Sequence, residues 1–336
     1  MAFLLPAIAF EISIGYIIHA GQDLFANMTI DRICLREGLF FGIRKGWKGF
    51  LWVLKILVPV SFLTAVLNWS GVLQQLDSFI QPLMRYLGLP GMAALPLLIG
   101  FVAGIYNGVA ALVILPFSQA EMTLAAIYMM MAHNLIQETV IQAKSGLHPL
   151  KAVLFRLAAA SITVMICAHF FDSTPAASEV PAFSAPVSQS FGSMLGAWSL
   201  STLDLLGRIF LIMMILLTLL EVLKTCGWID RLVRMLTPIL KCLGLSQRVA
   251  ILWIAGAIFG LAYSAAVIVE EANQRNLSKA ELEGLQLSIG IHHSVIEDPA
   301  IFISLGLSPF WMVVPRLIAA MVFVRLFSLW HHMKTA

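Results

Sequence analysis

Two short segments place ionisable side chains inside sequence that is otherwise apolar. In Gly290-Ile291-His292-His293-Ser294-Val295-Ile296-Glu297-Asp298-Pro299, two imidazoles and two carboxylates interrupt a run that resumes through Ile301, Phe302, Ile303 and Leu305. A weaker version, His133-Asn134-Leu135-Ile136-Gln137-Glu138-Thr139, lies upstream. A charged side chain at the centre of a bilayer costs about 2.5–3.5 kcal/mol on insertion scales, so such groups persist only where something pairs with them. His293 and Glu297 are four apart, a spacing that predicts one shared helical face, and Asn134 and Glu138 repeat it. Asp298 precedes Pro299, which biases it away from the α region and predicts a break there.

Imidazoles beside carboxylates can ligate a transition-metal dication such as Zn2+ or Fe2+, as substrate or as a bound ion. The candidate metal donors are His133, Glu138, His293, Glu297 and Asp298. The same groups suit proton coupling, because histidine titrates near neutral pH. They also suit a polar organic solute such as a nucleoside, for which Asn, Gln, Glu and Tyr supply donors, acceptors and a stacking ring. Plain hydrogen bonding between helices is the remaining reading of the pairs. An intramembrane metal enzyme would need the same residues plus an open coordination position, but the segment lacks the HExxH order in which a Glu acts between two ligands.

The elements that position these groups must be membrane helices. Of 336 residues, 60% are hydrophobic and 12% charged, and the mean hydropathy is +0.91, whereas soluble domains are roughly 25% charged. The expectation is a multi-pass protein of a bacterial inner (cytoplasmic) membrane, with the lipid bilayer as its first partner and a homo-oligomer left open. The net charge of +3 lies in short basic clusters between apolar runs, which argues against a nucleic-acid surface and for topology signals. Cys34, Cys167, Cys226 and Cys242 lack CxxC spacing and read as buried hydrophobes. The apolar N-terminus carries Glu11 and His19 with no basic residue ahead of them, unlike a cleaved signal peptide.

The chain divides into an N-terminal hydrophobic and basic segment (1–47), a first membrane repeat (48–171), an extracytoplasmic linker without Lys or Arg (172–200) and a second repeat (201–336). A spanning helix is expected over 50–67 and an amphipathic interfacial helix over 71–88, followed by apolar runs over 92–117, 122–140 and up to Phe171. Shifting residues 71–111 by 156 places brings Gly71 onto Gly227, Pro82 onto Pro238, Gly100 onto Gly256 and Gly104 onto Gly260. A three-residue insertion then brings His133 onto His292, Asn134 onto His293 and Glu138 onto Glu297. One further residue brings Arg156-Leu157 onto Arg316-Leu317.

The first copy has one basic residue, Arg85, in its amphipathic segment, and the second has Lys224, Arg231, Arg234, Lys241 and Arg248 in the matching region. The two regions are therefore expected on opposite sides of the membrane. The predicted fold is an all-α polytopic membrane protein of two inverted-topology repeats with interrupted or re-entrant helices. The glycine-interrupted runs from Gly100 and Gly256 are the candidates for interruption, with close helix packing as the other reading of those glycines. Such repeats mark a transporter with a midplane site. Beyond the metal candidates, its expected lining is Tyr106, Asn107, Asn134, Gln137 and Thr139 from the first copy, and Tyr263, Ser264 and His292 from the second.

The pattern Gly100-x-x-x-Gly104-x-Tyr106-Asn107-Gly108-x-Ala110-Ala111, with Gly256-x-x-x-Gly260 to Ala265-Ala266 in the second copy, resembles the Gate or nucleoside-recognition domain family. Relatives in that group include the membrane core of ferrous iron transport protein B, spore maturation proteins and concentrative nucleoside transporters. The resemblance covers most of residues 48–330 and implies transport through an inverted-repeat core; the spore-maturation relatives leave a structural or signalling role beside it. No GxxxxGK[ST] loop is present, which departs from the iron transporter and removes nucleotide-driven gating. The two His/Glu segments match no motif of a characterised member, so no family substrate is carried onto them.

Overall fold

A computed structural model describes residues 32–144, 146–171, 190–228, 249–259 and 278–335. The described elements of the first part are α1 (Arg32–Trp69), α2 (Val72–Met84), α3 (Ala94–Ala103), α4 (Ile105–Ile114), α5 (Gln119–Ala132), α6 (Leu135–Lys144) and α7 (Pro149–Ala168). Those of the second are α8 (Phe191–Thr225), α9 (Ala250–Phe259), α10 (Lys279–Ile291), α11 (Glu297–Ser304) and α12 (Pro309–Thr335). No strand occurs among the described residues. Among the described residues, four helices are long and apolar enough to cross a membrane, α1, α7, α8 and the Pro309–Phe327 part of α12, or five if the bent pair Asp77–Leu87 and Gly91–Ala103 counts as one span. Helix α8 begins inside the stretch expected to be linker, and α1 reaches back through the basic segment to Arg32.

Helices α1 and α8 lie antiparallel along a glycine stripe. Gly38, Gly42 and Gly46 are four apart and so share one face. A Cβ on Gly42 would stand 2.5 Å from the Thr218 Cα, and one on Gly38 2.7 Å from the Val222 Cα. Only glycine lets the two backbones approach this closely. Further along, Phe50 packs on Phe210, Phe62 on Trp198 and Trp69 on Phe191. At the opposite end a disulfide joins Cys34 to Cys226, with Cα atoms 5.3 Å apart. This corrects the reading of all four cysteines as buried hydrophobes; Cys167 alone fits it, and Cys242 lies outside the described residues.

The amphipathic α2 leads into α3 through a bend of 86° between Asp77–Leu87 and Gly91–Ala103. Two of its polar side chains fix that bend: Asp77 Oδ1 accepts the Met92 N–H at 2.6 Å, and Gln81 Oε1 accepts the Gly91 N–H at 2.5 Å. The next apolar run breaks at Gly104, which has φ +98°, a conformation open to glycine. The Asn134 side chain comes within 2.8 Å of the place a Cβ would occupy there. Gly100 and Gly108 instead pack on Met129, and Gly256 on Ile289. Interruption and close packing are thus both present, at different glycines.

The run expected to be continuous over 122–140 is also broken, between Ala132 and Leu135, with Asn134 at φ 50°. Its counterpart breaks between Ile291 and Glu297, with Ser294 at φ 47°. His293 and Glu297 therefore share no helical face, because the chain leaves the helix between them. Pro299 does not cause this break. It is the third residue of α11, in the first turn, where its missing N–H would have had no helical partner in any case.

Buried at the centre are α5, covered from Met122 to Ala132, and α10, covered from Gly284 to Ile291. The buried stretch of α5 is apolar on nearly all sides and requires that surround. Local geometry recurs at one offset, 160 residues. Ser118/Glu121 and Ser278/Glu281 form matching capping boxes. Gly146 and Gly306 take φ 95° and 91°, and α7 and α12 open on Pro149 and Pro309. In this register His133 corresponds to His293, Asn134 to Ser294 and Glu138 to Asp298. The pairing of His133 with His292 and Glu138 with Glu297 is one residue out, because it followed residue identity where Asp has replaced Glu. Before the insertion the 156 offset stands: Gly71 and Gly227 take φ 78° and 69° just after α1 and α8.

Candidate functional site

The two breaks face each other. His133 caps the C-terminus of α5, and its Nδ1 lies 3.2 Å from the Met129 carbonyl; His293 follows α10, with Nδ1 3.0 Å from the Ile289 carbonyl. A carbonyl only accepts, so each Nδ1 donates and each Nε2 is turned to the other ring, 3.3 Å away. Glu138, in the first turn of α6, brings Oε1 to 3.6 Å from His133 Nε2 and 3.2 Å from His293 Nε2. Asp298, in the first turn of α11, sets Oδ2 3.8 Å from His133 Nε2. Carboxylates are favoured at helix N-termini, which explains their place just after each break.

Two buried arginines complete the frame. Arg156 on α7 donates from Nε to the Met131 carbonyl at 3.0 Å and from Nη2 to the His133 carbonyl at 2.9 Å, and its Nη1 pairs with Glu138 Oε2 at 2.6 Å. Arg316 on α12 donates from Nη2 to the His293 carbonyl at 2.6 Å. Arg156 thus holds the carbonyls at the end of α5 with two nitrogens, and Arg316 holds the carbonyl just beyond α10 with one. Backbone amides at the breaks reach across as well: Asn134 N–H donates to the Gly100 carbonyl at 3.0 Å, and Val295 N–H to the Ala257 carbonyl at 2.8 Å.

Glu297 stands apart from this cluster. Its Oε1 accepts from the Tyr106 hydroxyl, on the first turn of α4, so this bond ties the break at Gly104 to the break before α11. Glu297 therefore does not join His293, the arrangement that continuous helical spacing predicts, and Asp298 takes its place. His292 stacks on Trp253, ring centroids 6.1 Å apart, and does not reach the converging donors. Asn107 turns back on its own helix, Nδ2 donating to the Ala103 carbonyl at 2.5 Å. Asn134 covers Gly104, Thr139 is buried beside Glu138, and Gln137 is exposed. Tyr263 and Ser264 lie outside the described residues.

Sequence reasoning missed three members of the site. Arg156 and Arg316 entered it only as markers of the repeat. Gln142, one turn beyond Glu138, is buried and donates to the Gln286 carbonyl at 2.8 Å across the interface between α6 and α10. The two arginines are charged residues inside otherwise apolar helices, the signal that singled out the histidines; Gln142 lies in a helix with several other polar residues and carries no such signal.

Comparison with known proteins bears on what this site belongs to. Residues 50–141, which include His133 and Glu138, match the Gate family, described as nucleoside recognition. The uncharacterized membrane protein YvoD of Bacillus subtilis (strain 168) is 31% identical over 264 residues, which are 77% of this chain and 84% of the relative. No solved structure matches the chain.

Proposed function

Since this chain belongs to the Gate, or nucleoside recognition, family of membrane proteins, we propose that it is a transporter. Its cargo is a small polar solute or ion that moves by alternating access through the site where the two breaks meet. The observation that carries this reading is the convergence of His133 and Glu138 from one half with His293 and Asp298 from the other. A relative movement of the halves would take such a site apart. In support of inverted repeats, α1 and α8 each precede the equivalent turns at Gly71 and Gly227, and they run antiparallel. A bacterial inner membrane is the compartment this proposal assumes.

Among cargo classes, a divalent metal cation suits the site best. The atoms that converge are two imidazole Nε2 and a Glu138 oxygen, with Asp298 beside them, a set of lone-pair donors that suits a metal cation and not an anion. Atoms 3.2–3.8 Å apart have the spacing of ligands around one ion; a nucleoside would need a cavity of at least roughly 300 Å3. Uptake of labelled Zn2+ or Fe2+ into proteoliposomes tests the proposal. Glu138→Gln and His293→Ala are expected to lower the rate at least about tenfold, as the loss of roughly 1.4 kcal/mol of binding would. Parental rates in both variants would refute the site.

A further inference from the structure

We infer that His133 Nε2, His293 Nε2 and Glu138 Oε1 form the preset three-donor face of a site selective for a transition-metal dication of the Zn2+ type, with Asp298 supplying the fourth ligand when the ion binds. For what the ion does, this rests on the transport reading; whether the ion binds does not depend on it. Both imidazoles have committed their Nδ1–H to a backbone carbonyl, at 3.2 and 3.0 Å. That second hydrogen bond is the one by which metal-bound histidines are oriented, and it leaves Nε2 as the donor atom. The two Nε2 atoms then present lone pairs to each other at 3.3 Å and to Glu138 Oε1 at 3.6 and 3.2 Å. Three acceptors this close repel unless a proton or a metal ion lies among them, and a proton joins only two of the three.

The size of that cation follows from the spacing. For ligand bonds of about 2.0–2.1 Å, the edge of a tetrahedron is about 3.3–3.4 Å. The observed triangle of 3.2, 3.3 and 3.6 Å is a face of that figure. Asp298 Oδ2, 3.8 Å from His133 Nε2, is buried and makes no hydrogen bond; it stands outside the close triad of His133, Glu138 and His293, so it would reach the fourth corner by turning its carboxylate toward the ion. Glu297 is no ligand, because Tyr106 holds it. Imidazole nitrogens at this spacing suit Zn2+, Fe2+ or Co2+, whereas Mg2+ and Ca2+ take six or more oxygens. Each half supplies one imidazole and one carboxylate. Separating the halves therefore leaves two donors on each side, which would release the ion.

Cobalt substitution tests this on the full chain in lipid nanodiscs, because tetrahedral Co2+ absorbs far more strongly in the visible than hydrated Co2+. One Co2+ per chain is expected, with an intense band that Zn2+ abolishes and a roughly thousandfold excess of Mg2+ or Ca2+ does not. Asp298→Asn should weaken Co2+ at least about tenfold and shift the band, while Glu297→Gln leaves both unchanged. No intense band in the unsubstituted chain would overturn the site whatever the variants do. So would a band lost in Glu297→Gln and kept in Asp298→Asn. An intact band without metal flux would refute transport and leave the site standing; flux of another solute with no band would do the reverse.

Discussion

Arg156 does the most work of any single side chain in the site. Its planar fork meets the carbonyls of Met131 and His133 and the Glu138 carboxylate together, a set of partners that the single ammonium of a lysine cannot reproduce. Removing one member of a buried ion pair leaves the other charge stranded, at a cost of about 3–5 kcal/mol, whereas removing both can be nearly neutral. Arg156→Met should therefore lower the thermal midpoint in detergent sharply, and Arg156→Met with Glu138→Gln should recover most of the loss. Equal losses in the two proteins would mean that the pair contributes nothing as a pair. At this scale His133, His293 and Glu138 stood out in the sequence because an ionisable group in an apolar run has few bland explanations, and the same signal also picked His292, which packs on Trp253 instead. The exchange of Glu297 for Asp298 was not, since i, i+4 reasoning presumes a continuous helix. Nothing in the sequence announces that Ser294 adopts φ 47°.

At the scale of elements, the breaks are stabilised by matching charge to helix ends: guanidiniums at the carbonyl ends of α5 and α10, carboxylates at the amide ends of α6 and α11. The long helices use a different device. Along α1 and α8, packing depends on the absence of side chains, and the glycines sort accordingly. Gly42→Ala would drive a methyl group to 2.5 Å from the Thr218 Cα, which only a shift of one backbone relieves; overpacking of this kind costs about 1–3 kcal/mol. Gly207 on α8 has nothing within 4 Å of its virtual Cβ, so Gly207→Ala should be neutral or slightly stabilising. Thermal unfolding of the two variants in detergent separates these cases, and equal midpoints would remove the stripe's importance. The stripe was readable as a four-residue glycine period, but the basic residues around it drew the reading toward topology. The Cys34–Cys226 pairing was not readable at all: the cysteines are 192 residues apart and meet only because α1 and α8 run antiparallel.

For the molecule as a whole, two independent lines meet at the ends of that helix pair. The end where Cys34 meets Cys226 joins the start of α1, with Arg32 and Arg36, to the end of α8, with Lys224; the positive-inside rule assigns both basic groups to the cytoplasm, a reducing compartment in which the two cysteines would stand as neighbouring thiols. The other end brings Trp69 against Phe191, beside the linker that carries no Lys or Arg. The equivalent turns after α1 and α8 would then lie on opposite faces of the membrane, which is what two oppositely inserted halves require. In a chain with Cys34, Cys167, Cys226 and Cys242 replaced by serine, Ser70→Cys should react with a membrane-impermeant maleimide on intact cells. Thr225→Cys, one residue before the equivalent position, should react only after permeabilisation. Both side chains are exposed, so a failure to label cannot be laid to burial in the fold. Labelling of both from outside, or of neither, would put the two turns on one side, and a site shared between two facing breaks would lose the motion that opens it alternately.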